Sequence, residues 1–135
     1  MTPDELRTVP LFEGMSDAGL ERLAASGAEV RCEPGQVLVV PGDAGSGMYV
    51  VLEGTVTVEI RGGMHVELGQ GNFFGEAALL APTAVRGARV RAATAALCLS
   101  IPRDDFLALV ENEPSLALQM LRELARRMAD TRLDD

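Results

Sequence analysis

The sequence is poor in the residue types that most often carry chemistry. It contains no tryptophan, one tyrosine, one histidine and two cysteines in 135 residues. With so few histidines and cysteines, we expect no zinc or iron–sulfur site and no other metal. Cys32 and Cys98 lie in apolar, strand-like segments and form no C-x-x-C motif. We therefore expect buried thiols rather than a redox pair.

Membrane and targeting segments are also absent from the sequence. No stretch approaches the roughly 20 apolar residues of a membrane span. The first residues, MTPDELRTVPLF, lack the basic region and apolar run of a signal peptide. We expect a cytoplasmic protein with no membrane partner. The 12 Lys and Arg against 20 Asp and Glu give a net charge of −8. A nucleic-acid partner is not expected, because neutralising phosphates requires clustered cations.

The remaining composition favours one β-rich domain. A chain of 135 residues fits a single domain. Its 47% hydrophobic content is enough to bury a core. Aromatic residues make up only 4%, whereas there are 14 glycines and 7 prolines. This balance is typical of aliphatic strands joined by many turns.

Periodicity predicts a helix, a run of short strands and two further helices. The first helix spans Ser16–Ala25, with Ser16 as its N-cap. A short helix follows Pro102, and a longer one runs from Pro114 to about Arg132. A barrel or jelly roll is the expected architecture. The strand-like segments are residues 28–32, QVLVV, MYVVLEG, TVTVEI, MHVEL, ARVRA and ALCLSI.

The most informative stretch is GNFFGEAALLAPTAVRGARV, residues 71–90. Gly75 permits close approach of a ligand to the backbone. A short helix after Glu76 would present N–H groups with no intrahelical partner, which small residues at Ala77 and Ala78 leave uncovered. Arg86 could complete an anion site, while Glu76 would accept hydrogen bonds from hydroxyls. A phosphate joined to a ribose meets both needs. The simpler alternative is that Glu76 and Arg86 form a loop ion pair.

The ordered motifs resemble those of the cyclic nucleotide-binding domain family. They include VPLF, VLEGTV, FFGEAALL and VRGARVRA, and the resemblance runs from Val9 to Arg132. The family includes catabolite-activator-type regulators, protein kinase A regulatory subunits and cyclic-nucleotide-gated channels. It implies an eight-stranded β-roll with an N-terminal helix and two C-terminal helices. The single domain, 1–135, would comprise an N-terminal helical segment (1–27), the roll (28–101) with a phosphate-binding cassette (73–90), and the C-terminal helices (102–133).

The resemblance assigns roles within the cassette. Glu76, with the Gly75 main chain, would bind the ribose 2′-hydroxyl. The amides near Ala77 and Ala78 would meet the cyclic phosphate, and Arg86 would pair with its charge.

It also assigns residues around the base. Val58 would pack on the purine, and Thr131 falls where regulators of this kind carry a base-contacting threonine. Arg132 could stack on the purine or face solvent. Gly87 and Ala88 follow the cassette arginine. In the family, the residue directly after this arginine is usually Ala, Ser or Thr, whereas here it is Gly87. The absence of a threonine at Gly87 favours cAMP over cGMP.

The resemblance implies a non-catalytic cAMP sensor, with cGMP as the other candidate ligand and no further cofactor. The last helix would cap the ligand, and it is similar to a dimerising helix, which implies a homodimer and an unidentified effector. The alternatives are a ligand-free interaction scaffold, or the sensor half of a transcription regulator lacking its helix-turn-helix. The sequence shows no paired carboxylates, no activated nucleophile and no metal cluster. An enzyme is therefore not favoured.

Three further features allow more than one interpretation. His65 shares a strand face with Glu67, which indicates solvent, although it could also line the purine site. The basic run RELARR, with an i, i+4 pair between Glu123 and Arg127, is typical of a solvated helix face. The last helix carries an apolar stripe, which could be core, lid or dimer seam. Its members are Leu116, Met120, Leu121, Leu124 and Met128.

Overall fold

The computed structural model describes residues 1–42, 45, 47–60, 63–81 and 88–133, with the backbone alone at 131–133. The first helical elements are α1 (Pro3–Arg7), a 3-10 helix (Pro10–Phe12) and α2 (Asp17–Ser26). The strands are β1 (Ala28–Cys32), β2 (Val37–Val39), β3 (Gly47–Glu53), β4 (Val56–Ile60), β5 (Met64–Leu68), β6 (Phe73–Phe74), β7 (Ala88–Ala92) and β8 (Ala96–Pro102). The remaining helices are α3 (Ala77–Leu80), α4 (Arg103–Asn112) and α5 (Pro114–Leu133).

The described strands form two four-stranded antiparallel sheets that enclose a roll. Their orders are β1-β8-β3-β6 and β2-β7-β4-β5. The predicted mainly β architecture of about eight strands is confirmed. Strand β6 was not predicted as a strand, because two residues are too few to show alternation. It pairs with β3 through Tyr49–Phe74 and Val50–Phe73.

The β4–β5 hairpin confirms the predicted alternation. Val56 faces Leu68 across the hairpin, and the next pairs on the same face are Val58–Val66 and Ile60–Met64. Exposure rises along this face, from 0% at Val56 to 40% at Ile60. The inner face of the sheet therefore runs from the core out into solvent.

The N-terminal helices follow from their caps. The Ser16 hydroxyl accepts a hydrogen bond from the Gly19 N–H, as the predicted N-cap requires. Helix α1 was missed by the sequence analysis, although it carries a capping box between Thr2 and Glu5 and a proline at its start. That threonine–glutamate spacing is a recognised helix-start signal.

Two apolar clusters contain most of the buried hydrophobic residues that the structure describes. The larger one packs the N-terminal helices, α4 and α5 on the outer face of β3 and β8, and includes Phe12, Leu20, Phe106 and Met120. The smaller one fills the space between the sheets, where Cys98 is fully buried. Burial raises the pKa of the Cys98 thiol to about 12. This thiol stays protonated at neutral pH, as expected of a core side chain.

A buried carboxylate connects the N-terminal helices to the C-terminal helices. Glu113, at the junction of α4 and α5, accepts hydrogen bonds from the Ser16 N–H at 2.7 Å and the Ser16 hydroxyl at 2.8 Å. A Cβ added at Gly19 would lie 2.6 Å from the carboxylate carbon of Glu113, which is too close for the two atoms. The start of α5 is therefore fixed against α2.

The predicted stripe on α5 divides between two faces. Leu116 and Met120 are 3% exposed and belong to the core. In contrast, Leu121 is 64% exposed and Met128 is 59% exposed. Successive helical residues turn by about 100°, so neighbours such as Met120 and Leu121 necessarily face different directions. The single broad stripe is corrected to a core face and a solvent face.

Candidate functional site

A cavity of about 180 Å³ opens at one end of the roll, between the two sheets, the β6–α3 turn and α5. Its wall is mostly apolar, with one carboxylate and one guanidinium among the described residues. Six of the predicted site residues meet here: Val58, Gly75, Glu76, Ala77, Ala78 and Ala88. The other described lining residues are Val39, Leu68, Phe74, Val90 and Arg127.

The floor of this pocket is built by a turn that depends on glycine. Phe74 ends β6 and stacks on Tyr49 of β3, with ring centroids 5.1 Å apart. Gly75 then adopts φ +90°, a conformation that glycine takes without a steric penalty. The next residue, Glu76, is the N-cap of α3. The glutamate therefore projects from a backbone that β3 holds in place.

Helix α3 presents backbone donors beside Glu76. Its hydrogen bonds begin with the N–H groups of Leu79 and Leu80, which both donate to the Glu76 carbonyl. The earlier N–H groups, at Ala77 and Ala78, have no intrahelical acceptor because they belong to the first turn. Their methyl side chains leave room for a ligand atom near those amides.

Glu76 is buried, with only 8% of its surface exposed. A carboxylate in an apolar pocket needs compensating partners. Arg127 of α5 supplies one, with its Nη1 3.7 Å from Glu76 Oε1. At this distance the two groups form an ion pair, but the two atoms are too far apart for a hydrogen bond.

Arg127 is tied more closely to two other groups. Its Nη2 donates to the Phe73 carbonyl at 2.6 Å, and its guanidinium carbon lies 4.6 Å from the Phe73 ring centroid. Its Nε donates to Glu123 at 3.2 Å, which confirms the predicted i, i+4 pair. Hydrogen bonds from Arg126, and then Arg127, lower the pKa of the Glu123 carboxyl.

The expectation that RELARR is a solvated face holds for Arg126 and is wrong for Arg127. The Arg126 side chain is 54% exposed and binds Glu123 and Asp130 on the surface. The Arg127 side chain is only 25% exposed and reaches the pocket wall. A positional signal existed: eleven residues are about three turns plus 20°, so Arg127 continues the core face that begins at Leu116.

Several predicted residues are not placed in the pocket. Arg86 and Gly87 lie outside the described residues. Thr131 and Arg132 belong to the end of α5, but their side chains are also outside the described part. His65 is exposed and faces Glu59 across the hairpin, on the side opposite the pocket. Of its two alternatives, the solvent position is the one observed.

Comparison with known proteins agrees with this geometry. Residues 29–113 match the family model described as the cyclic nucleotide-binding domain. A cyclic nucleotide-gated potassium channel of Rhizobium etli is 38% identical over 109 residues, which are 81% of this chain and 30% of the channel. Glutaminase 1 of Bradyrhizobium diazoefficiens is 33% identical over 127 residues, 93% of this chain and 20% of that protein. The chain thus spans less than a third of either relative.

A solved structure supports the same conclusion. The catabolite activator protein of Thermus thermophilus superposes with a TM-score of 0.74 at 29% identity, covering 93% of this chain and 61% of that one. The class of protein that this fold defines is a β-roll flanked by helices, as in that structure. The chain belongs to the cyclic nucleotide-binding domain family. Within the described part, none of the helices is long and apolar enough to cross a membrane.

Proposed function

We propose that this chain is a non-catalytic sensor domain that binds cAMP in the pocket around Glu76. The observation that carries the proposal is a buried carboxylate next to the first-turn amides of α3, at Ala77 and Ala78, which have no acceptor within the helix. The carboxylate accepts hydrogen bonds from ribose hydroxyls, while backbone N–H groups at a helix start suit a phosphate. Arg86, in the family motif, supplies the opposite charge to the phosphate.

The purine is proposed to lie on an apolar shelf outside the cavity. The cavity, about 180 Å³, is smaller than the roughly 300 Å³ at the lower end of typical ligand sites. A nucleotide must therefore extend beyond it. The inner face of the β4–β5 hairpin leads outward from Val58 and offers exposed apolar surface for a base. We define the apolar shelf as Val58, Ile60, Met64 and Val66.

Helix α5 is proposed to cap the ligand and to pair two copies of the chain. It already reaches the pocket through Arg127. Its solvent face carries Leu118, Leu121 and Met128, which are 46%, 64% and 59% exposed. The seven-residue step from Leu121 to Met128 is the spacing of a helix-pairing seam. An effector that responds to this helix completes the proposal, and Gly87 in place of threonine supports cAMP over cGMP.

Isothermal calorimetry with cAMP, cGMP and 5′-AMP tests the proposed function. The wild-type chain is expected to bind one cAMP per domain, cGMP more weakly, and 5′-AMP weakest because its phosphate is not cyclised. Glu76→Gln should lower cAMP affinity about tenfold or more, since a hydrogen bond to a charged group contributes roughly 1.5–3 kcal/mol. Arg86→Ala should have a similar or larger effect.

The matched control is Glu67→Gln, on the exposed outer face of β5. This substitution removes the same charge without touching the pocket, so its affinity should equal that of the wild type. No heat with either cyclic nucleotide at millimolar concentration would refute the sensor function. Equal losses in Glu76→Gln and Glu67→Gln would show that the pocket had been assigned wrongly.

A further inference from the structure

Arg127 connects three groups that belong to different parts of the molecule. It comes from α5, its shortest described bond goes to the Phe73 carbonyl of β6, and its charge faces Glu76 in the pocket. Among the described lining residues of the cavity, it alone belongs to α5. Among the described residues, the Arg127 guanidinium therefore links α5 to the pocket wall.

The contacts of this guanidinium differ in strength. The 2.6 Å bond to the Phe73 carbonyl and the 4.6 Å approach to the Phe73 ring fix its position. The bond to Glu123 aims the side chain inward from its own helix. The 3.7 Å pair with Glu76 is longer than either of the two hydrogen bonds. It is the one that an incoming hydrogen-bond donor would replace first.

Glu76 is also the group that the proposed function assigns to the ligand. The Arg127 guanidinium and a ribose hydroxyl both offer hydrogens to a carboxylate that is buried in an apolar wall. In the low-dielectric pocket, the attraction between the Arg127 guanidinium and the Glu76 carboxylate is stronger than it would be at the surface. When a ligand binds Glu76, the attraction between Glu76 and Arg127 is therefore partly lost, which makes the net free energy of binding less favourable.

We infer that Arg127 is an internal latch, which holds α5 against β6 and competes with the ligand for Glu76. This inference rests on the proposed function. A ligand hydroxyl that donates to Glu76 weakens the ion pair between Glu76 and Arg127, which is one of the described contacts that join Arg127 to residues outside α5. The end of α5 is then released to take a new position over the base. Ligand binding and helix movement are coupled because both states use the same carboxylate.

The test compares Arg127→Gln with Arg126→Gln in the full chain. Both substitutions remove one positive charge and hydrogen bonding to Glu123, through two bonds from Arg126 and one from Arg127. Only the first removes the contacts to Phe73 and Glu76. Arg127→Gln should bind cAMP roughly threefold or more tightly than the wild type, and Arg126→Gln should bind as the wild type does.

Hydrogen exchange of the unliganded proteins provides a second measurement. Amides of residues 121–130 should exchange faster in Arg127→Gln than in Arg126→Gln, because only the former frees α5 from β6. Weaker cAMP binding by Arg127→Gln would overturn the latch and make Arg127 a ligand contact. Equal exchange in the two variants would also overturn it. Failure of the wild type to bind any cyclic nucleotide would instead overturn the proposed function.

Discussion

At the residue scale, the turn between β3 and β4 depends on Gly54. Its φ is +83°, and an added Cβ would overlap the Ala95 carbonyl oxygen and lie 2.9 Å from the Ala96 Cα. Both neighbours are backbone atoms at the start of β8, so they cannot rotate away. Gly35 has a similar φ of +88°, but an added Cβ there meets nothing within 4 Å.

These two glycines give a matched stability prediction. Gly35→Ala should lower the free energy of unfolding by about 1–2 kcal/mol, the cost of a left-handed alanine. Gly54→Ala should lower it by a further 1–3 kcal/mol or so, because backbone must move to relieve the overlap. Urea unfolding of both variants measures the difference. Equal losses would show that the close approach at Gly54 does not constrain the turn.

At the element scale, the helices and strands differ in how far the sequence predicts them. Helix α2 was predictable from its Ser16 cap and its periodicity, and helix α5 from the proline at its start and its periodicity. The two-residue strand β6 was not, since its pairing with β3 is a tertiary contact that leaves no pattern. The role of Arg127 was hidden for a related reason. An i, i+4 pair with Glu123 is compatible with either helix face, and only packing on Phe73 distinguishes them.

The solvent face of α5 carries the prediction that belongs to this scale. If two copies pair through it, Leu121→Glu should turn a dimer into a monomer, because the carboxylate would be buried in the seam. Val37→Glu is the control, since Val37 is 45% exposed but lies on β2. Sedimentation equilibrium measures both. A monomeric wild type, or equal dissociation of the two variants, would contradict pairing through α5.

At the scale of the whole molecule, the helices form the core on one side of the roll and the roll itself forms the pocket. The helices pack on the outer face of β3 and β8, which leaves the inner faces of both sheets to form the pocket. Motif order predicted this arrangement and six pocket residues. The apolar wall from Val39, Leu68 and Val90 was not assigned to a site, because an apolar strand residue looks the same in a core and in a pocket.

The central claim is that cAMP binds at the β6–α3 turn. Titration of the ¹⁵N-labelled protein with cAMP, followed by amide NMR, tests it most directly. The account predicts saturable shifts at Gly75, Glu76, Ala77 and Ala78, with further shifts along β4, β5 and the far half of α5. It also predicts that these shifts need about tenfold more cAMP, or more, to saturate in Glu76→Gln. Saturable shifts confined to other surfaces, or no shifts at millimolar cAMP, would contradict it.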